Sequence, residues 1–261
     1  MSDVPLRKWY FCLNAKGFEQ SWPLVQVAVR SCLRNTRLTP VCLYDGPEDR
    51  HAARLESLGA SVVRHTSSLA DALRRGYGDA YDTYSGHWLR VDIPLVEHEE
   101  PVVLYTDIDV LFRAHPDMPR RPRTLAAAPE RFRWRWPHFN SGVMVLNLPG
   151  MRAVHDDFDA MIRARIGAGR WPTGHDQVCY NAFFRWRHTR LPHRLNWKPY
   201  WGDRPDARII HFHGPKPGHI DRMAAGDTDG MLPIYRHLWN RNPQAYRRFG
   251  REFRELLEDD A

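Results

Sequence analysis

Apolar and polar positions fall in blocks along the chain, and the length and period of each block name an element. Trp9 to Leu13 is a short apolar run of the length of a buried strand. Ser21 stands as a helix cap, Pro23 falls in the first turn, and Leu24, Val27, Ala28 and Cys32 recur at helical spacing. Val41–Tyr44 is a second apolar run, ended by Asp45-Gly46. Pro47 to Leu58 predicts a helix that Gly59 terminates, and Ser61–Val63 a third strand. A strand-helix-strand-helix-strand opening is the layout of a nucleotide-binding half.

Residues 66–85 are polar and rich in Gly and Tyr, a loop-helix excursion before a helix over Gly86 to Val96. Val102–Tyr105 reads as the next strand, with Thr106-Asp107-Ile108-Asp109 at its carboxyl end. Thr124–Ala128 and Gly142–Leu148 read as strands, and 150–165 and 175–186 as helices. Arg208–Phe212 is the last strand, and the C-terminal stretch of about 30 residues reads as helical. With no linker, repeat or low-complexity tract, the pattern predicts one α/β domain.

At 261 residues and 43% apolar, the chain can bury a full core. No apolar run approaches the ~18 residues of a membrane span. Met1 to Lys8 has no apolar core of the signal-peptide kind, so the expected location is cytoplasmic. The cysteines at 12, 32, 42 and 179 lack metal-site spacing and are expected as reduced core residues. A net charge of +7 is spread along the chain, mostly as arginine, which favours a solvated basic surface over a nucleic-acid arm. Ten tryptophans serve core packing first and sugar stacking second.

Four constellations carry chemistry. Asp107 and Asp109 stand two apart in Val102–Phe112, an otherwise apolar stretch. On a strand such positions share a face, and two close carboxylates repel unless a cation joins them. Mn2+ or Mg2+ takes oxygen ligands and can also hold phosphate; a solvent-facing loop is the competing reading. Asn140-Ser141-Gly142 offers an amide, a hydroxyl and room for close backbone approach before a strand, which suits sugar hydroxyls or simply a turn. Gly174-His175-Asp176-Gln177 opens a helix, with Asp176 either a helix-start carboxylate or one set beneath a reacting sugar. In Ile209 to Pro217, an imidazole can complete an oxygen-rich metal shell, and Lys216 with the turn amides can neutralise a diphosphate.

Together these motifs resemble glycosyltransferase family 8, whose pattern runs from an Arg-bearing helix through L-Y-x-D-x-D, N-A/S-G and D-Q to H-F/Y-x-G-x-x-K-P-W. Arg90, Asp107/Asp109, Asn140-Ser141-Gly142, Asp176-Gln177 and His211 to Pro217 match it in order, across roughly residues 9 to 217. The resemblance implies a GT-A fold: a Rossmann-like mixed sheet flanked by helices in a single domain over 1–261. Its parts would be a nucleotide-binding half (about 1–110), a sugar and acceptor half (about 111–217) and C-terminal helices (about 218–261). It also implies a UDP-hexose donor, a glycan, glycolipid or small-molecule acceptor, and retention of configuration.

Residue by residue, the resemblance implies Asp107, Asp109 and His211 as Mn2+ (or Mg2+) ligands, and Gly214 and Lys216 on the diphosphate. Arg90, Asn140, Ser141, Asp176 and Gln177 would surround the sugar, with Arg90, Asp176 and Gln177 catalytic. Tyr105 and Asp107 would face the nucleotide, and Asn14 and Phe18 the uracil. Only Pro215 separates Gly214 from Lys216, one residue fewer than the pattern, and Gly218 replaces its tryptophan, which leaves His213 as a rival to His211. The Arg131–Trp136 loop reads as an acceptor platform, as a peripheral contact at the inner membrane surface, or as a plain surface loop. Other readings are a GT-A family using a different nucleotide sugar and a non-catalytic basic binding module.

Overall fold

The structure, a computed structural model, describes residues 4–47, 49–169 and 175–259. Strand β1 (Lys8–Asn14) alternates between two buried faces: Trp9, Phe11 and Leu13 enter one apolar cluster and Tyr10 another. This two-sided burial is why it reads as a continuous apolar run. It passes without a loop into α1 (Ala15–Asn35), because Asn14 is itself the cap, its side chain accepting from Gly17 N at 2.7 Å. Ser21, expected as the cap, instead lies at a kink inside this helix (φ −126°, ψ 16°), two residues before Pro23, which removes a donor and bends the helix.

The chain continues through β2 (Thr39–Asp45), α2 (Asp49–Ser57) and β3 (Ser61–Arg64). The 66–85 excursion contains α3 (Ala70–Tyr77) and most of α4 (Tyr81–Trp88), and a 3-10 turn leads to the short α5 (Ile93–Val96). The single helix expected over 86–96 is thus three pieces. The apolar stretch around the aspartates is two strands, β4 (Val102–Thr106) and β5 (Val110–Phe112), joined by a bend. Next come β6 (Leu125–Pro129) and β7 (Phe139–Asn147), which starts three residues before the expected Gly142 and so takes in Asn140 and Ser141. Then follow α6 (Leu148–Arg152), α7 (His155–Gly167), α8 (His175–Phe184), the two-residue β8 (Thr189–Arg190), β9 (Ile209–His211), α9 (Pro217–Ala224), α10 (Pro233–Arg241) and α11 (Pro243–Glu258).

The main sheet runs β3-β2-β1-β4-β7-β6-β8, parallel from β3 to β4, with β7 antiparallel to both its neighbours. A second sheet pairs β5 with β9 antiparallel. On one face α1 packs Val25, Ala28, Val29 and Cys32 onto β1; on the other, aromatic residues of α7 and α8 (Phe158, Tyr180, Phe184) close the core. The C-terminal helices form a third cluster around Phe212, where α11 contributes Tyr246, Phe249, Phe253 and Leu256 from one apolar stripe. Cys32, Cys42 and Cys179 are buried among these residues.

Candidate functional site

Asp107 and Asp109 come together through the bend between β4 and β5, rather than through the pleat of one strand. Its backbone is held at both ends: Asp107 N donates to Gly142 O (2.8 Å), and Phe212 N donates to Asp109 O (2.9 Å). Pairing of β9 with β5 sets His211 opposite Val110 and so beside the bend. One ligand atom from each of Asp107, Asp109 and His211 lies within 4.8 Å of the others. Adjacent ligands of a six-coordinate divalent ion with bonds near 2.1 Å stand about 3 Å apart, and opposite ones about 4.2 Å, so the spacing suits such an ion.

The chemistry of the donor set fits as well. Asp109 Oδ1 is buried without a hydrogen-bond partner and lies 3.3 Å from His211 Nε2. The other oxygen of Asp109 pairs with the Lys216 ammonium, which also donates to Phe212 O at 3.2 Å. Burial pushes the Asp109 carboxyl up, yet the Lys216 ammonium above all brings it well below the usual carboxylate range. Gly142 is required here: a Cβ on it would stand 2.5 Å from His211 Cε1 and 2.6 Å from Asp107 Oδ2. The register of β6 against β7 slips between Ala127 and Ala128, leaving residues 141–143 as a bulge beside this site.

Arg90 organises the other side of the aspartates. Its guanidinium is buried, pairs with Asp176 at 2.7 Å and with Asp107 at 3.3 Å, donates to Ser141 O at 2.8 Å, and lies over the Tyr105 ring. Burial alone would lower the Arg90 pKa, but Asp176, Tyr105 and Asp107 raise it well above its usual value. Asp176 Oδ2 carries the ion pair without a hydrogen bond; burial lifts this carboxyl, and Arg90 opposes the rise. Tyr105 donates its hydroxyl to Asp107 Oδ1 at 2.8 Å. Gln177 Oε1 accepts from Asn140 Nδ2 (3.0 Å) and Ser141 N (3.1 Å). Gly174 lies outside the described residues, while Asp176 and Gln177 stand in the first turn of α8.

A cleft of about 250 Å3 opens over Tyr105, Asp107, Asp109 and Lys216, with Cys12, Asn14, Ser21, Thr83 and Gly86 also in its lining; Arg90, Asn140, Ser141, Asp176 and Gln177 lie behind that lining. Asn14 lies on its wall, but the side chain is committed to the cap, to Asp82 O and to Ser85 Oγ. Phe18 does not line the cleft. It is 3% exposed and stacked on His51 at 4.0 Å, because the first turn of α1 rolls it toward the core. Gly214 holds a left-handed φ of 97° and packs against Leu238, so its turn absorbs the missing residue and Lys216 still reaches Asp109. His213 faces away from the aspartates, bonded to Tyr200 Oη at 3.1 Å and 3.8 Å from Glu130, and burial holds it well below the usual imidazole range.

Sequence reasoning missed Cys12, Ser21, Thr83 and Gly86 in the cleft wall, and Asn196, which bonds both Asn140 and His211. The only signal for Asn196 was a polar residue set between Leu195 and Trp197. In the 131–136 loop, Trp134 is 74% exposed, while Trp201 Nε1 donates to Arg131 O and His193 bonds Arg133 O. An Arg185–His138 contact of 3.2 Å brings the turn after α8, with Trp186 79% exposed, to the same side.

This is the GT-A fold, the scaffold of nucleotide-sugar glycosyltransferases, and the chain resembles those enzymes in fold as it does in motif order. Among solved structures, galactosyltransferase LgtC in complex with donor and acceptor sugar analogues superposes over 96% of this chain and 95% of its own, at TM-score 0.64 and 18% identity. Apo glycosyltransferase GlyE of Streptococcus pneumoniae TIGR4 matches 97% of this chain at TM-score 0.61 and 16% identity, and the chain spans only 64% of GlyE's length. Apo mouse xyloside xylosyltransferase 1 matches 80% of this chain and 97% of its own, at TM-score 0.54 and 16% identity. No protein-family model and no curated protein matches the sequence.

Proposed function

We propose that the protein is a metal-dependent glycosyltransferase that moves a hexose, glucose or galactose, from a UDP-sugar to an acceptor hydroxyl with retention of configuration. The observation that carries the reading is the meeting of Asp107, Asp109 and His211 with Lys216 at the mouth of the cleft, on a GT-A fold. Asp107, Asp109 and His211 would hold Mn2+ or Mg2+, which when bound draws negative charge from the leaving diphosphate. Three carboxylates (107, 109, 176) face two fixed cations (Arg90, Lys216), so the site alone is net negative and accepts a divalent ion together with an anionic donor.

Lys216 can exchange Asp109 for the diphosphate, and the Gly214 turn positions it. Arg90, Asn140, Ser141, Asp176 and Gln177 form the sugar floor, and Tyr105 and Asp107 the nucleotide side. Asp176 is the negative group to set against an oxocarbenium-like carbon. Gln177, whose carbonyl oxygen accepts from Asn140 Nδ2 and Ser141 N, is the second candidate for that face, as nucleophile or as cation stabiliser. In this reading residues up to about 110 bind nucleotide, 111–217 handle sugar and acceptor, and the C-terminal helices brace β9.

The acceptor, a glycan, glycolipid or small molecule, enters beside the 131–136 loop. Trp134 and Trp186, exposed beside arginines, favour a further contact with the anionic inner face of the membrane, which would hold a cytoplasmic enzyme near a lipid-borne acceptor. No described helix is long and apolar enough to cross a membrane.

The test is hydrolysis of a panel of nucleotide sugars with and without Mn2+, for wild type and Asp109→Ala. The expected result is Mn2+-dependent turnover of a UDP-hexose that Asp109→Ala loses. Turnover of a different nucleotide sugar would replace the donor. Metal-independent rates identical in both proteins would reject the enzyme.

A further inference from the structure

A line of buried hydrogen bonds runs from the sugar side of the site to His211, and its direction follows from the backbone. The Gly142 N–H can only donate, so the Asn140 atom 3.2 Å from it is Oδ1. Asn140 Nδ2 then faces Gln177 Oε1, an oxygen confirmed by the Ser141 N–H that also points at it. Because Asn140 Oδ1 accepts, the Asn196 atom 3.2 Å away is Nδ2, and Asn196 Oδ1 faces His211 Nδ1 at 3.1 Å. An acceptor at that position requires the imidazole proton on Nδ1. In the neutral ring the Nε2 lone pair is then aimed at Asp109 Oδ1, the buried oxygen without a hydrogen-bond partner.

Two lone pairs facing each other in a buried site repel unless a cation accepts both. The amide line creates that condition by denying His211 the tautomer that would donate to Asp109. Asn196 is the link that does so. It is fully buried, and its placement is set by the backbone, since Trp197 N donates to Ile209 O and His211 N donates to Trp197 O (2.8 Å).

We propose that Asn196 is a positioning residue that fixes His211 in the Nδ1–H tautomer, so that Nε2 stands open to a divalent cation before any cation arrives. The inference rests on the reading of His211 as a metal ligand. It adds that a residue outside every motif sets that ligand's protonation geometry, and that the same line, through Asn140, ties the ligand to Gln177.

The experiment uses the full chain, free of metal and labelled with 15N-histidine. Long-range 1H–15N correlation reads the tautomer, and the His211 signal is assigned by its loss in His211→Asn. Wild type is expected to show a protonated Nδ1 and an unprotonated Nε2. Asn196→Leu is expected to lose that pure tautomer and to weaken Mn2+ binding, followed by the EPR signal of free Mn2+ without donor, about 10- to 100-fold. Asn196→Asp, which still accepts from Nδ1, is expected to keep the tautomer and rescue most of the Mn2+ affinity.

An Nε2–H signal in wild type overturns the proposal, as does an unchanged tautomer and affinity in Asn196→Leu. Should Asn196→Leu fail to fold, the wild-type tautomer and Asn196→Asp still decide: loss of the Nδ1–H form in Asn196→Asp refutes the hold, and its retention supports it. Loss of the tautomer in Asn196→Leu with no Mn2+ binding in wild type supports the hold on the ring and overturns the metal reading instead.

Discussion

Replacing Gly142 with alanine puts a methyl group where two proposed ligands meet. The added Cβ would lie 2.5 Å from His211 Cε1 and 2.6 Å from Asp107 Oδ2, where ordinary contact begins at 3.4 Å. Each ligand must retreat by about 0.9 Å, or β7 must move and take Asp107 with it through the Asp107 N to Gly142 O bond. Overpacking of this kind costs about 1–3 kcal/mol, a fall in Tm on the order of 5 °C for a chain of this size. A displacement near 1 Å at the reacting centre costs on the order of 100-fold in rate. Gly142→Ala is therefore expected to fold, melt a few degrees lower, and lose about two orders of magnitude in both Mn2+ affinity and donor hydrolysis. Gly218→Ala, with nothing within 4 Å of its added Cβ, is the neutral control. Thermal melts, Mn2+ titration and donor hydrolysis read the three quantities. A Gly142→Ala protein that melts lower but binds Mn2+ and turns over donor like wild type would refute the packing argument.

Arg90→Leu leaves Asp176 buried without its counter-charge, and we expect a loss of about 3–5 kcal/mol in urea unfolding. Adding Asp176→Leu should recover most of that stability while donor hydrolysis stays abolished; no recovery would mean that Arg90 packs rather than pairs. Glu97 is expected to govern part of the acid stability. Burial opposes its ionisation, but Lys8, Tyr10 and the N–H groups of residues 99 and 100 bring its pKa from 4.5 to about 2. A depressed carboxylate stabilises the fold above its unfolded value, so its contribution, at most on the order of 3 kcal/mol, is lost as pH falls from about 4.5 to about 2. Glu97→Gln should start less stable and show a flatter loss in that window by circular dichroism.

Strands buried on both faces announced themselves as apolar runs, which is why β1, β2 and β4 were legible and the doubly wound half with them. Helix boundaries were less so. Ser21 and Pro23 carry strong local signals for a helix start, yet Asn14, at the end of a strand, outcompetes them by capping directly. Phe18 shows the limit of reading an aromatic residue by its neighbourhood: its ring finds His51, 33 positions away, and periodicity carries no such information. The aspartates, histidine and lysine were visible because charged groups inside apolar runs demand an explanation. Asn196 was not, since an uncharged amide between Leu195 and Trp197 makes no such demand until its partners at 140 and 211 are in place.

The β5–β9 pairing has a consequence for biogenesis. About 100 residues separate the two strands, and translation proceeds at about 5–20 residues per second, so a nascent chain carries its paired aspartates for roughly 5–20 s before the imidazole that completes the trio is made. Throughout that interval the polypeptide lacks the full set of proposed ligands. A ribosome that stops anywhere upstream of His211 therefore releases a product without the proposed metal site, which is complete only once about four-fifths of the message has been read.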